Sequence, residues 1–312
     1  DTWEGELYFS AHRGTYTSQA SIKRWNRRNE LTLREAEMWG ALALARTGRA
    51  YPFAALTENW KGVLLHQFHD ILPGSSIARV YEEARAAHEA IHEDVSALAH
   101  GAMDALIAGE GVTAFNSLPW ARRAVVSLPD AFTRGAKTIE GEEIAVRGGA
   151  ALVAVPPMGH VSLLPSDNGL NAPVARAHQA DGRMILENDR IAVVFGERGV
   201  IESYVLKDTG AAFTGVMNRF EMFKDVPRTF DAWDIDSCYI DQPVALDGAF
   251  SGEIVTPEGV TAALRFRHAG EHSTIEQVVS LSAGATRVEF DTTVDWHELH
   301  RLLKVSFDAG VR

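Results

Sequence analysis

The sequence predicts an α+β protein of several domains: an antiparallel three-helix bundle, then a small β domain, then an antiparallel β-sandwich. Three observations predict it. Between about Glu30 and Ala108, apolar residues recur at helical spacing in three runs joined by short connections. After Gly109 the texture changes to short runs, several of them alternating apolar and polar, punctuated by Gly and Pro. These runs follow one another without intervening helices, which favours antiparallel sheets over βαβ units. The expected division is a lead-in segment over residues 1–28, the bundle over 29–108, the small β domain over 109–165, a linker over 166–182 and the sandwich over 183–312.

In the lead-in, Glu6-Leu7-Tyr8-Phe9 reads as a short buried strand and His12–Gln19 as a polar, aromatic loop, followed by the basic run Lys23, Arg24, Arg27, Arg28. The first helix is expected from Leu31 to Thr47, with Gly48 as its C-cap. Pro52 opens the second, which carries Phe53, Leu56, Trp60, Val63, Leu64 and Phe68 at helical spacing. The third runs from Ser76 to Ala108, with Ile77, Tyr81, Ala84, His88, Ile91, Val95, Leu98, Ala102 and Ala105 alternating steps of four and three as a heptad seam does. Strands are expected after Gly111, at Val125–Leu128 and Ala150–Pro156, then at Ile191–Phe195, Val200–Leu206, Ala262–Phe266, Thr274–Leu281 and Arg287–Val294. Residues 166–182 read as the linker.

With 30 Lys and Arg against 42 Asp and Glu, the formal net charge is −12, which excludes a nucleic-acid surface and gives no reason to expect attachment to anionic membranes. No apolar run is long enough to span a bilayer. Cys238 is the only cysteine, so no intrachain disulfide is possible and a reducing, cytoplasmic location is expected. Residues Asp1–Tyr8 have neither the basic nor the apolar region of a signal peptide, and the chain opens as though cut from something longer.

The richest segment for chemistry is His66-Gln67-Phe68-His69-Asp70-Ile71-Leu72-Pro73-Gly74-Ser75-Ser76-Ile77. Two imidazoles and a carboxylate fall within five positions, and Pro-Gly then ends the helix. Imidazole suits zinc, and a neighbouring carboxylate can orient it or bind a substrate hydroxyl. His66 and His69, three apart, are expected on one helix face. One helix supplies too few ligands for a closed metal site, and helix-end histidines that only cap carbonyls remain an open reading. His297-Glu298-Leu299-His300 lacks the spacing of a zincin, whose motif has two residues between Glu and the second His; a strand leading into a turn is expected there. His88 and His92 read as a packed and a surface histidine. Asp231-Ala232-Trp233-Asp234-Ile235-Asp236 sets carboxylates beside an aromatic ring, a combination that suits sugar recognition as well as a solvated loop.

The stretch Gln67–Ile77 closely resembles the glycoside hydrolase family 38 α-mannosidases, and further matches are spread along the chain. His12-Arg13-Gly14-Thr15-Tyr16-Thr17-Ser18, with Gly5–Tyr8 and Lys23-Arg24, looks like the end of that family's catalytic domain. Ala114–Trp120 resembles the start of its β region. Leu186-Glu187-Asn188-Asp189, Asp231–Asp236, and Val294–Glu298 with Leu302–Val305 resemble its C-terminal sandwich. The variants look most like the bacterial and cytosolic branch. The resemblance implies a zinc-dependent, retaining enzyme that cleaves α-mannosides from glycans with an aspartate nucleophile and a carboxylic general acid. It implies that His69 is one zinc ligand, the other three being a His and two Asp of the N-terminal catalytic domain. Asp70 would accept hydrogen bonds from mannose hydroxyls, with Arg13 and Tyr16 as further substrate contacts. The zinc would bind sugar hydroxyls and help distort the ring. The family's N-terminal His-x-Asp motif and nucleophile segment are absent here, so residues 1–28 would close a catalytic domain, the nucleophile and general acid would lie outside the chain, and the chain alone is expected to be inactive.

Two other readings stay open: a carbohydrate-binding sandwich module using Trp233 or Trp296, and a metallohydrolase built on His297–His300. Self-association is also left open.

Overall fold

The computed structural model describes residues 12–107, 109–213 and 215–308. The chain falls into two compact units. One comprises residues up to Gly109 together with Val226–Ser237, and the other comprises Glu110–Asp225 with Cys238 onward. The strand expected at Glu6–Phe9 lies outside the described residues.

The first unit is the bundle. Helix α1 spans Ala20–Thr47, α2 Phe53–His66 and α3 Ala78–Asp104. Helix α1 starts eleven residues before the expected Leu31, so the boundary expected at residues 28 and 29 falls inside it. Arg24, Arg27 and Arg28 of the basic run that masks the pattern are solvent-facing, while Ile22, Asn29, Leu33 and Ala36 supply the buried stripe. Gly48 caps α1 in the left-handed conformation (φ 74°), its N–H bonded to the Leu44 carbonyl. The core joins Leu33 and Ala36 of α1, Leu56 and Val63 of α2, and Ile91, Val95 and Ala99 of α3. The heptad seam of α3 holds from Tyr81 to Val95. Ala99 then replaces Leu98 as the buried residue, because a straight helix drifts against a strict 3.5-residue repeat.

Two buried positions of the bundle, Asn29 and His88, are polar. His88 is 0% exposed, and Asn29 Nδ2 donates to its carbonyl (2.9 Å) and lies 3.1 Å from its Nδ1. The His66 ring is 4.9 Å away. Four residues on, His92 is half-buried with its ring against Trp25, and among the described residues no third donor joins the pair to hold a metal.

The second unit holds two β structures. Between Val112 and Pro165, a four-stranded sheet (Val112–Asn116, Gly159–Pro165, Ala136–Thr138, Glu143–Ile144) and a three-stranded one (Arg122–Ser127, Ala150–Val155, Val146–Arg147) enclose Leu128, Phe132, Val153, Val155 and Leu163. Buried Asn116 shapes the first turn: its Nδ2 donates to the carbonyls of Trp120 (2.8 Å) and Pro156 (2.9 Å), and its Oδ1 accepts from Leu118 N–H. From Ala175 onward, a nine-stranded sheet faces a four-stranded one (Ala249–Thr256, Thr261–Ala269, Thr274–Ser282, Glu289–Asp295). Their shared core includes Leu186, Val193, Phe195, Leu264, Phe266 and Leu281. The strand Ala175–Ala180 occupies part of the expected linker. Its sequence, Ala-Arg-Ala-His-Gln-Ala, has no β-branched residue, and burial of Ala175 and Ala177 under the sandwich core decides its conformation.

Burial, followed by the neighbouring His66, pushes the His88 imidazole down to about 4 from the usual 6.5. The unfolded chain therefore binds the extra proton between these values. Stability present above pH 6.5 is lost as pH falls toward 4, by up to about 1.4 kcal/mol per pH unit. Denaturant titrations of wild type and H88Q between pH 7.5 and 4.5 are expected to show a shallower pH dependence in the variant; parallel curves would contradict the assignment.

Candidate functional site

Helix α2 stops at His66, earlier than the sequence pattern implies, and His69 and Asp70 stand on the turns that follow. His66 and His69 therefore do not share a helix face. His66 Nδ1 lies 2.7 Å from the Gly62 carbonyl of its own helix, so it serves the bundle end. The turn is closed by the N–H groups of Ile71 and Leu72, both bonded to the Phe68 carbonyl. Ile71 and Leu72 pack on Ile22, Tyr81 and Ala84, which anchors the turn to α1 and α3.

Polar contacts then set the position of each atom. The Asp70 carbonyl accepts from Ser76 Oγ (2.8 Å) and Tyr81 Oη (3.1 Å), and Tyr81 Oη in turn accepts from Ser76 N–H (2.7 Å). Ser75 Oγ donates to Asp70 Oδ1 (3.2 Å). The other carboxylate oxygen lies 3.5 Å from His69 Nε2. The two side chains are 75% and 44% exposed, so a ligand can reach both. The His69 ring leans on Phe68, centroids 4.1 Å apart.

The Pro-Gly step is held from beneath. Lys23 Nζ donates to the carbonyls of Ser18 (2.6 Å), Leu72 (2.6 Å) and Pro73 (3.3 Å), and burial lowers its pKa. Gly74 has φ +105°, and a Cβ there would lie 2.7 Å from Ser18 Cβ. Ser18 Oγ donates to the Ala232 carbonyl (2.7 Å). Gly14 N–H bonds to the Trp233 carbonyl (2.7 Å), His12 N–H to Asp234 Oδ1 (2.7 Å), and the His12 and Trp233 rings meet edge to face at 4.5 Å. Three segments distant in sequence, 12–18, 70–76 and 230–236, thus join around Ser18. Arg13 and Tyr16 lie in the short 3-10 helix of the first of them, Arg13 half-buried and Tyr16 exposed.

A family model described as the alpha mannosidase middle domain matches residues 10–106, and one described as the glycosyl hydrolases family 38 C-terminal domain matches residues 186–312. The chain belongs to glycosyl hydrolase family 38. This family 38 chain is 37% identical over its whole length to human alpha-mannosidase 2C1 and 29% identical over 99% of its length to alpha-mannosidase G of Dictyostelium discoideum. It spans 30% and 33% of the lengths of those relatives. The solved structure of an alpha-mannosidase from Enterococcus faecalis V583 matches with a TM-score of 0.73, covering 94% of this chain and 43% of that one at 18% identity, which supports the helices-then-sheets fold.

Elsewhere the expected motifs carry less. His297–His300 of this family 38 chain lies in the connection between the strands Glu289–Asp295 and Arg301–Phe307, where His297 Nε2 pairs with Asp295 Oδ1 at 2.9 Å. Among the described residues, no three His, Cys, Asp or Glu side chains converge to hold a metal ion. His69 and Asp70 offer two donor groups, so the residues present do not complete a zinc site by themselves. Sequence reasoning missed the bracing roles of Ser18, Lys23 and Gly74, although all three lie in the segments that carry the family resemblance.

G74A is expected to lower the stability of the bundle by about 1–3 kcal/mol, since it adds both a strained φ and a clash with Ser18. K23M, which leaves two close carbonyls without their donor, is expected to cost a similar amount. Thermal melts followed at 222 nm read both, and an unchanged midpoint in either variant would refute the bracing role.

Proposed function

We propose that this chain forms the bundle and sandwich of a zinc-dependent, retaining α-mannosidase that removes terminal α-linked mannose from glycans. The observation that supports this most is the pairing of His69 and Asp70, exposed side by side on a turn held rigid from several directions. Preorganised ligands on a braced turn are what a metal or sugar contact requires. In this reading His69 supplies one zinc ligand and Asp70 accepts hydrogen bonds from mannose hydroxyls, with Arg13 and Tyr16 as additional substrate contacts. Zinc, when bound, supplies Lewis-acid stabilisation and orients sugar oxygens. The remaining ligands and the two carboxylates of a retaining mechanism, about 5–5.5 Å apart, belong to a catalytic domain of the same polypeptide. Phe68 and Ile77, both exposed beside the pair, suit contact with that domain. The lone, exposed Cys238 fits a cytoplasmic location.

The 312-residue chain alone is expected to bind no stoichiometric zinc and to leave 4-nitrophenyl α-D-mannoside unhydrolysed. In the longer enzyme, H69A is expected to reduce zinc occupancy and to cost at least about 100-fold in kcat/KM, while D70N is expected to raise KM. Full zinc content and activity in H69A would sink the proposal.

A further inference from the structure

The sandwich contains a cavity of about 520 Å³ that neither the mannosidase reading nor the core accounts for. Small-molecule sites commonly measure about 300–1,000 Å³. Its walls come from the end of the strand Thr261–Ala269, the turn after it, the 244–248 loop and the 296–301 connection. Trp296 and Glu298, which belong to the segment containing the rejected zincin-like motif, both line it.

The chemistry of the walls selects a ligand class. Trp296 is a half-buried aromatic wall. Asp247, Glu271 and Glu298 face the cavity with Arg301. Among the described residues, neither Asp247 nor Glu298 has an ion-pair partner, and Arg301 Nη1 donates to the His300 carbonyl. Three carboxylates against one guanidinium disfavour an anion. No divalent cation is indicated, since among the described residues no set of three His, Cys, Asp or Glu side chains converges. A neutral polyol fits, because carboxylates accept from hydroxyls, a guanidinium donates to them, and an aromatic face packs against ring C–H groups.

A buried imidazole backs the cavity wall. His268, which lines the cavity, is 4% exposed and packs against Phe220 and Phe250. Arg198 Nη2 lies 3.3 Å from its Nδ1. The ring's Nε2 is buried and has no hydrogen-bond partner. Burial, followed by the Arg198 charge, holds the imidazole at about 4, so it is neutral near pH 7. Ser273 Oγ accepts from His297 N–H (2.7 Å), which leaves its own proton to donate. Like His88 Nε2 in the bundle core, His268 Nε2 is sealed within the wall and does not face the cavity.

We propose that this cavity binds a neutral pyranose, with Trp296 stacked on the ring face, Asp247 and Glu298 accepting from adjacent hydroxyls, and Arg301 and Ser273 donating. The site uses sandwich residues alone and does not rest on any role for His69 or Asp70.

The test is ligand-observed saturation-transfer NMR on the full 312-residue chain with methyl α-D-mannopyranoside, where a dissociation constant of about 1 mM is expected for so small a ligand. W296A and E298Q, both in a surface connection, are each expected to weaken binding at least about tenfold, with thermal melts confirming that the sandwich stays folded. Mannitol, which has the hydroxyls without the ring face, is expected to bind about tenfold more weakly than the glycoside. Absence of transfer in the wild type, binding retained by either variant, or equal binding of mannitol overturns the proposal.

Discussion

The tip of the bundle depends on one partly buried ammonium. Lys23 lies one turn into α1 and gathers carbonyls from two chain segments, Ser18 on one side and Leu72 and Pro73 on the other. Carbonyls at the end of a helix and in the turn beyond it are acceptors that the helix cannot satisfy internally. A single cation with three donor hydrogens meets that demand and ties the turn to the segment before α1. Without it, the residues carrying His69 and Asp70 would lose their link to the segment before α1 and rely on the apolar anchor of Ile71 and Leu72, the turn's own backbone bonds and the hydroxyls of Ser75, Ser76 and Tyr81. Placing a donor group for a ligand on an exposed turn requires that the turn not move, and the charge beneath it meets that requirement.

Much of the architecture was legible in the amino-acid pattern. The seam of α3 and the strands Ile191–Phe195 and Thr274–Ser282 follow from periodicity, because each has one face or both faces buried. The early start of α1 was hidden, since its buried stripe there runs through Ile22 and Asn29 amid arginines. The strand Ala175–Ala180 was hidden for the opposite reason: alanines carry no β signal, and burial decides. For the site, the residue types at His69 and Asp70 and the Pro-Gly stop were readable, but the geometry was not. Spacing placed His66 and His69 on one face, whereas the helix ends between them. Ser18 and Lys23 contact the turn across some fifty residues of sequence, a separation at which no local pattern reports proximity.

Buried amides and imidazoles recur as organisers. Asn29 with His88 fixes α1 against α3, Asn116 shapes the first β turn, and Asn188 Nδ2 reaches the carbonyls of Ser282, at the end of a strand of the facing sheet, and Ala285, in the turn that follows it. Asn218 and Gln277 exchange hydrogen bonds across the same sandwich at 2.7 and 3.1 Å. Each such group carries a cost when unpaired, so a slipped register would leave several of them unsatisfied at once. The apolar clusters supply driving force, whereas these contacts discriminate one alignment from its neighbours.

The twelve residues Val226–Ser237 leave the sandwich, join the bundle unit and return. The polypeptide therefore crosses between the two units three times rather than once. Gene fusion or excision at residue 109 would cut the bundle away from the strand of chain that holds Gly14 and Ser18. The two units have separate cores but are not separately heritable. A recombination event that exchanged only one of them would bring in a foreign partner for His12 and Ser18, which ties the history of the sandwich to that of the turn carrying His69.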